Sequence, residues 1–544
     1  MELNKMEQSF KLNNFNTEDD VKIHFHSDIV KPLLEEVNPT MINQYRSEDN
    51  LLAGGRTDAT FQNISFELKK LKYFQSANGI KEALYGRNEK DHGLYDYIIS
   101  NSGVSSTDAP ETMESKLLNS IGVGFDGDSF IFARFVPSPT AHNINTDKLK
   151  IDINVSLSIS FVYEIKDFTS GLKRLALLLK QQDKIALNKK NLISIINPKS
   201  TFVRKSIKTI YDELQFNLND LNGSTRVRTL YKEWDRVFGT MYGEDDEATS
   251  FTEVSSVIRE TYGYSDEVVI DSKVYLFALQ TFFNMFLKLL IYSFLAQLVS
   301  PTFKAESLTK PQIDKLFDGE LNKYESLVNN FFESHFMEWF TYTCSENKFD
   351  TTVVNNILDV VNQFDLSTYI LKPEEIQDIL QEVYMELIPV EMRHLMGEYF
   401  SPDWIVEHAL DLVGYEGDIE KTLIDPTAGS GTFLTHSIKR IVSKAEGKLS
   451  RDDIDKITHN IIGFDINPIS VVSAKANYIL AIFSSCDDTV FENFSDPIDI
   501  PIYIADSILS PVVYTEESEL TLSIDTSVGK FQIPKFEDYS YASE

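Results

Sequence analysis

Between Val274 and Val299 the sequence reads VYLFALQTFFNMFLKLLIYSFLAQLV. As a helix this run is long enough to cross a bilayer, which takes roughly 20 apolar residues. Gln280, Asn284 and Lys288 recur every four residues inside it, so they share one helical face. A lysine at bilayer depth is costly. The expectation is therefore a helix buried inside a large protein, with no membrane partner. Such a helix demands a helical core broad enough to surround it.

The 544 residues suffice for about three domains of ordinary size. Hydrophobic residues make up 42% and charged residues 25%, as in an ordinary globular chain. A formal charge of -32 argues against a general nucleic-acid coat but permits a local basic surface. Cys344 and Cys486 lie far apart with no CxxC or Cys/His pattern. A disulfide framework or zinc site is not expected, and a reducing, cytoplasmic location fits. The polar start MELNKMEQSFKLNNFN has no apolar signal-peptide segment.

Three stretches differ in pattern. Residues 1–190 read as mixed α/β. The periodic helix VKIHFHSDIVKPLLEEV precedes a turn at Gly54 and Gly55, then two short strand-like runs. GFDGDSFIFARFV reads as a turn and strand. In LKIDINVSLSISFVYEI, Ile151, Ile153, Val155, Leu157, Ile159 and Phe161 alternate with mostly polar residues, which predicts a half-buried strand. Residues 191–385 read as helical, with three-to-four spacing in RVRTLYKEWDRVFGTMY and LVNNFFESHFMEWFTY as well as in the 274–299 run. The acidic GEDDEATS, Gly243 to Ser250, reads as an exposed loop. Residues 386–544 alternate helix and strand, as in a doubly wound sheet.

Within the last stretch, IDPTAGSGTFL spans Ile424 to Leu434. Thr422, Leu423 and Ile424 suit a short buried parallel strand, and Asp425 ends it where open α/β sheets bind ligands. Gly429, Ser430 and Gly431 let the backbone turn tightly and approach a ligand. A helix follows, with Phe433, Leu434, Ile438 and Ile441 on its apolar face and an N-terminus that favours an anion. The loop is neither a Walker A sequence nor GxGxxG, and alone it reads equally well as a tight strand-helix connection. Its neighbours add weight. The run IIGF ends in Asp465 and IPIYIA ends in Asp506, so three successive strand-like runs end in aspartate. A strand-terminal acid can accept two hydrogen bonds from a ribose diol. Upstream, GEYFSPDWIVEHAL carries Gly397, Tyr399, Phe400, Ser401 and Pro402 at the start of a helix.

Residues 390 to about 510 resemble the S-adenosylmethionine-binding half of N6-adenine DNA methyltransferases of restriction-modification systems. GEYFSP resembles motif X, DPTAGSGTFL, with Asp425 and Pro426, motif I, GFDINP motif II, and IADSIL motif III. The resemblance implies that Ser401 and the Gly429–Gly431 backbone hold the methionine end of S-adenosylmethionine. It sets Asp425 beside the amino group, Asp465 on the ribose, and Asp506 with Ile466 around the adenine. The family's catalytic [ND]PP[YFW] motif, whose aromatic residue stacks on the flipped base, does not occur. Asn38-Pro39, Asn197-Pro198, Asn467-Pro468 and Asp496-Pro497 do not complete it. Residues 386–544 are thus expected to be the cofactor-binding part of a methyltransferase domain truncated before motif IV. Methyl transfer is not expected from this chain alone.

GGRTDATFQNISFELKKLKYF, Gly54 to Phe74, holds a second cluster. In an extended ISFELKK strand, Ile64, Phe66 and Leu68 face one side while Glu67 and Lys69 face the other. Asp58 reaches the same face across a hairpin. Two carboxylates with a lysine suit Mg2+ and a water aimed at a phosphodiester. Lys70, Lys72, Lys81, Arg87 and Lys90 are candidate phosphate contacts. The spacing resembles the PD-(D/E)xK nuclease family, with Asp58, Glu67 and Lys69 in its core positions, Asp58 and Glu67 as metal ligands, and Glu35 or Glu36 as its extra acid. Thr57-Asp58 replaces the family's Pro-Asp. The plainer alternative is Glu-x-Lys on the solvent face of an amphipathic strand. His24 and His26 show no metal-site pattern, and Tyr95 and Tyr97 are expected to pack.

The fold expected is α/β: a restriction-endonuclease-like mixed domain (1–190), a helical connector (191–385) and a partial Rossmann-like methyltransferase domain (386–544). The function expected is DNA restriction-modification, in phage defence, with S-adenosylmethionine and Mg2+ as cofactors. Double-stranded DNA and a chain carrying motif IV and target recognition are the expected partners. A non-catalytic cofactor-binding scaffold, or a fragment of such a system, is the alternative.

Overall fold

The computed structural model describes residues 3–50, 56–88, 90–149, 155–180, 184–242, 247–265, 267–300, 303, 305–317, 327–332, 336–343, 349–366, 378–395, 398, 400–445, 448–486, 490–491, 494, 496–505, 507, 521–526 and 529–534. The chain separates into two compact units, Met1–Asp183 and Lys184–Glu544.

The first unit is built on a six-stranded sheet in sequence order: β1 (Tyr45–Asn50), β2 (Arg56–Phe61), β3 (Ile64–Leu68), β4 (Ile121–Phe125), β5 (Ser129–Asn143) and β6 (Ser156–Asp167). Neighbours are antiparallel except β3 and β4, which run parallel. A long helical segment starts at Glu18, where Thr17 and Asp20 form a reciprocal cap. It continues through a π-helical stretch, Phe25–Val30, into Lys31–Val37. Phe25 lies edge-on to Phe66 at 5.7 Å and 4.9 Å from Phe125, which pins this segment to the sheet. A second apolar cluster joins Leu94 and Ile98 of the helix Leu94–Ser102 with Ile131, Ala133 and Phe135 of β5.

Every residue of β3 is buried. Glu67 therefore sits in the interior, 3% exposed, and the solvent-face alternative does not hold. In β6 the alternation persists, with Leu157 and Ile159 buried. Ile151, Ile153, Gly54 and Gly55 lie outside the described residues.

The second unit is organised around the helix Ser272–Val299, buried from Val274 to Gln297. Asp271 caps it through the Lys273 and Val274 amides. Each member of the polar stripe finds a partner: Gln280 accepts from Trp234 Nε1 at 2.8 Å, and Asn284 and Lys288 both reach Glu338 Oε1, at 2.8 and 2.5 Å. The long apolar run is thus a core helix whose polar stripe is partnered internally, although Asn284 Oδ1 and Ser293 Oγ find no donor or acceptor among the described residues. One continuous core links this helix to Pro468–Phe483, so the stretches 191–385 and 386–544 both belong to the second unit.

Two sequence expectations fail here. None of the described residues within 327–342 is α-helical: Val328 bridges Ile498, and Phe336–Tyr342 is a 3₁₀ helix. The backbone here pairs with a distant segment instead: Asn329 N–H donates to Ile498 O (2.9 Å) and Leu327 O accepts from Ile498 N–H (3.0 Å). The Asn330 side chain adds bonds to Ile500 O (3.0 Å) and from Ile500 N (2.9 Å), so this pairing takes the backbone groups a helix would use. Residues 247–250 of the expected acidic loop belong to the helix Glu247–Tyr262, and 243–246 lie outside the described residues.

The sheet that positions the candidate ligand loop has three parallel strands, β9 (Leu423–Asp425), β10 (Ile461–Asp465) and β11 (Ile502–Ile504), in the order β11-β10-β9. Two two-stranded pairs complete the unit: β7 (Ile185–Ala186) with β8 (Phe364–Asp365), and β12 (Thr521–Thr526) with β13 (Gly529–Pro534).

Candidate functional site

β9 and β10 end side by side, with Asp425 paired in register to Gly463. The loop after β9 turns through two left-handed glycines, Gly429 (φ 54°) and Gly431 (φ 86°), before the helix Thr432–Lys444 begins. Both need glycine's freedom. Gly429 opens onto empty space, whereas a Cβ on Gly431 would meet the Ala474 methyl at 3.0 Å.

Asp465 fixes this loop. Its Oδ2 accepts from the Gly429 N–H at 2.7 Å and its Oδ1 from the Asn467 N–H at 2.8 Å. Asp425 Oδ1 accepts from Thr427 N at 3.1 Å, while Asp425 Oδ2 is buried with no partner among the described residues. Burial raises the pKa of both carboxyls. A buried carboxylate oxygen lacking a donor calls for an N–H or O–H from a water or a bound group.

Behind the loop lies a brace that sequence reading missed. Buried Asp378 caps the helix Ile379–Leu387 and accepts from Ser430 Oγ, Thr432 Oγ1 (2.7 Å) and Asn477 Nδ2 (2.6 Å). Glu398, within GEYFSP, accepts from Tyr384 OH (2.9 Å) and Asn467 Nδ2 (2.7 Å), leaving Oε2 buried and unpartnered among the described residues. Burial pushes Glu398 up to about 8. Nearby, Gln381, Tyr384, Phe400, Ser430, Ile469 and Ser473 line a small cavity of about 10 Å³. His436 lies between Glu407 (2.5 Å) and Asp403 (3.2 Å), tying the helix Asp403–Leu412 to Thr432–Lys444.

Of the sequence-predicted cofactor residues, Asp425, Gly429, Gly431 and Asp465 are brought together. Ser401 and Ile466 are half-buried, Ser401 ahead of the helix Asp403–Leu412 and Ile466 directly after β10. Pro426 is exposed, and its carbonyl accepts from Ser507 Oγ at 2.7 Å. Gly397, Tyr399 and Asp506 lie outside the described residues.

In the first unit, Asp58, Glu67 and Lys69 also converge. Asp58 Oδ2 accepts from the Leu68 N–H at 2.6 Å, taking a position at the end of the β2–β3 ladder. Lys69 forms an ion pair with Glu67. Burial, and secondarily the charge of Asp58, lift Glu67 to about 7 despite Lys69. Burial works against the Lys69 charge, but Glu67 holds its ammonium above the usual range.

Two neighbours were not anticipated as members of this cluster. Lys22 Nζ stands 2.9 Å from Asp58 Oδ1, and Tyr97 hydrogen-bonds Glu67. His26 hydrogen-bonds Tyr45, and His24 pairs with Asp28 at 2.7 Å. Glu35 and Glu36 are exposed, as are Lys70, Lys72, Lys81, Arg87 and Lys90. Among the described residues, no group of three or more His, Cys, Asp or Glu side chains is arranged to hold a metal.

No curated protein matches this chain. Among solved structures, it is similar to the cryoEM structure of a DrdV–DNA complex at 12% identity and a TM-score of 0.26, over 93% of this chain and 40% of that one. The chain thus spans 40% of the length of that protein, and the likeness carries no argument about fold. Residues 375–496, which contain the glycine loop, Asp465 and the Asp378 brace, match the N-6 DNA Methylase family model, and this part of the chain is an N-6 DNA methylase domain.

Proposed function

We propose that this chain is a cytoplasmic DNA restriction-modification protein that couples an S-adenosylmethionine-binding adenine-N6 methylase region to a magnesium-dependent nuclease. The observation that carries the first half is Asp425 Oδ2, a buried acceptor awaiting a donor beside a glycine loop that Asp465 holds open. These residues fit S-adenosylmethionine, which supplies an electrophilic methyl group on its sulfonium. Asp425 would accept from its amino group, Gly429–Gly431 and Ser401 would hold the methionine end, Asp465 would take the ribose, and Ile466 with Asp506 would flank the adenine. Because the sequence holds no [ND]PP[YFW] motif, positioning the target base is assigned to a continuation carrying that motif and target recognition, either a separate polypeptide or a longer reading frame.

In the first unit, Asp58 and Glu67 suit a hard cation in kind, since Mg2+ is commonly held by one or two carboxylates with waters. Lys69 would orient the attacking water and double-stranded DNA would be the substrate. Lys22 on Asp58 favours a second reading, a cofactor-binding scaffold whose nuclease-like unit is inert.

Two assays separate these readings. Calorimetric titration with S-adenosylmethionine should show binding that Asp425→Ala abolishes. Cleavage of unmethylated plasmid in Mg2+ should vanish in Lys69→Ala. Binding without cleavage would leave the scaffold, and absence of binding would overturn the methylase half.

A further inference from the structure

Asp58 already has a donor on each oxygen: Lys22 Nζ at 2.9 Å on Oδ1 and the Leu68 N–H at 2.6 Å on Oδ2. Glu67 is matched by Lys69, on which the charge of Glu18 also acts, so both ammonium groups are already engaged by carboxylates. A divalent cation needs carboxylate lone pairs directly, and one on Asp58 is occupied by Lys22. A dication entering beside both lysines would leave the cluster strongly positive in a partly buried place, where Coulomb repulsion is poorly screened.

Lys22 is placed to leave. Its backbone is held, because Val21 and Phe25 on either side are buried and Phe25 packs on Phe66. Its side chain and that of Asp58 are each 20% exposed. A flexible four-carbon stem lets the ammonium swing into water without moving the helix.

We propose that Lys22 is a built-in cation that holds Asp58 in the metal-free cluster and competes with a divalent metal for its carboxylate. The inference rests on the reading of Asp58, Glu67 and Lys69 as a metal site. Lys22 acts through Asp58 and is a positioning residue. Asp58 then rests ion-paired, and metal enters as Lys22 departs. A phosphodiester anion arriving with the metal would offset the added positive charge, so DNA should tighten metal binding.

The test is titration of the full chain with Mn2+, without DNA, followed by calorimetry. Lys22→Met should bind Mn2+ about two- to fivefold more tightly than the parent, in line with loss of a modest ion-pair competitor. Lys22→Arg, whose fork grips a carboxylate with two hydrogen bonds, should bind it more weakly, and this variant serves if Lys22→Met does not fold. Asp58→Asn should remove the binding. If the parent binds Mn2+ and neither Lys22 variant shifts its affinity as stated, Lys22 does not compete and the metal-site reading stands. If neither the parent nor Lys22→Met binds Mn2+ in an Asp58-dependent way, both fall.

Discussion

The Gly429 amide donates to Asp465 Oδ2 at 2.7 Å, so the loop after β9 is tied to the acid that ends β10. One carboxylate shapes the backbone beside which Asp425 keeps its unfilled oxygen. Replacing Asp465 by Ala removes the acceptor for both Gly429 and Asn467. Hydrogen bonds to a charged group are worth about 1.5–3 kcal/mol. S-adenosylmethionine affinity is expected to fall at least about tenfold, read by calorimetry; unchanged affinity would show that the loop holds its shape without Asp465.

The two loop glycines should respond unequally to alanine. Left-handed backbone costs an L-residue about 1–2 kcal/mol, and Gly429→Ala meets nothing else within 4 Å. Gly431→Ala adds the close approach to Ala474, and overpacking costs about 1 kcal/mol or more. All three tryptophans, Trp234, Trp339 and Trp404, lie in the second unit, so their fluorescence in urea reports its stability. Gly431→Ala should lower the midpoint more than Gly429→Ala.

Lys288 and Glu338 form an ion pair with no exposure on either side chain. Lys288→Met leaves Glu338 without its cation, a change that costs about 3–5 kcal/mol for a buried pair. Adding Glu338→Leu should return much of that loss, because an apolar pair removes the desolvation cost of both charges. The same urea assay reads both; a double variant no better than Lys288→Met would contradict this account.

Glu398 is raised from 4.5 to about 8, mainly by burial. The folded state therefore holds its proton where the unfolded chain has released it. The resulting stability is complete below about pH 4.5 and is lost as the pH rises through 8. Buried Asp378 and Asp425 and half-buried Asp465 are raised too and act in the same direction. Glu398→Gln should make the second unit lose less stability between pH 5 and pH 8, measured by tryptophan fluorescence in urea. An unchanged slope would exclude Glu398 as a contributor.

Sequence patterns reached as far as local rules do. The strand, acid, glycine loop and helix from Leu423 to Lys444 follow from residues adjacent in the chain. The same holds for Asp465 at the end of β10, and for Gln280, Asn284 and Lys288 on one face of an apolar helix. Asp58, Glu67 and Lys69 were legible because a hairpin brings near neighbours together.

Tertiary packing alone decided their partners. Lys22 meets Asp58 from 36 residues away, Asp378 meets Thr432 from 54, Lys288 meets Glu338 from another segment, and Asn330 holds Ile500 across 170. No periodicity links such pairs. Burial requires each polar group to find a partner, but which group answers depends on the segment that the apolar core carries to it.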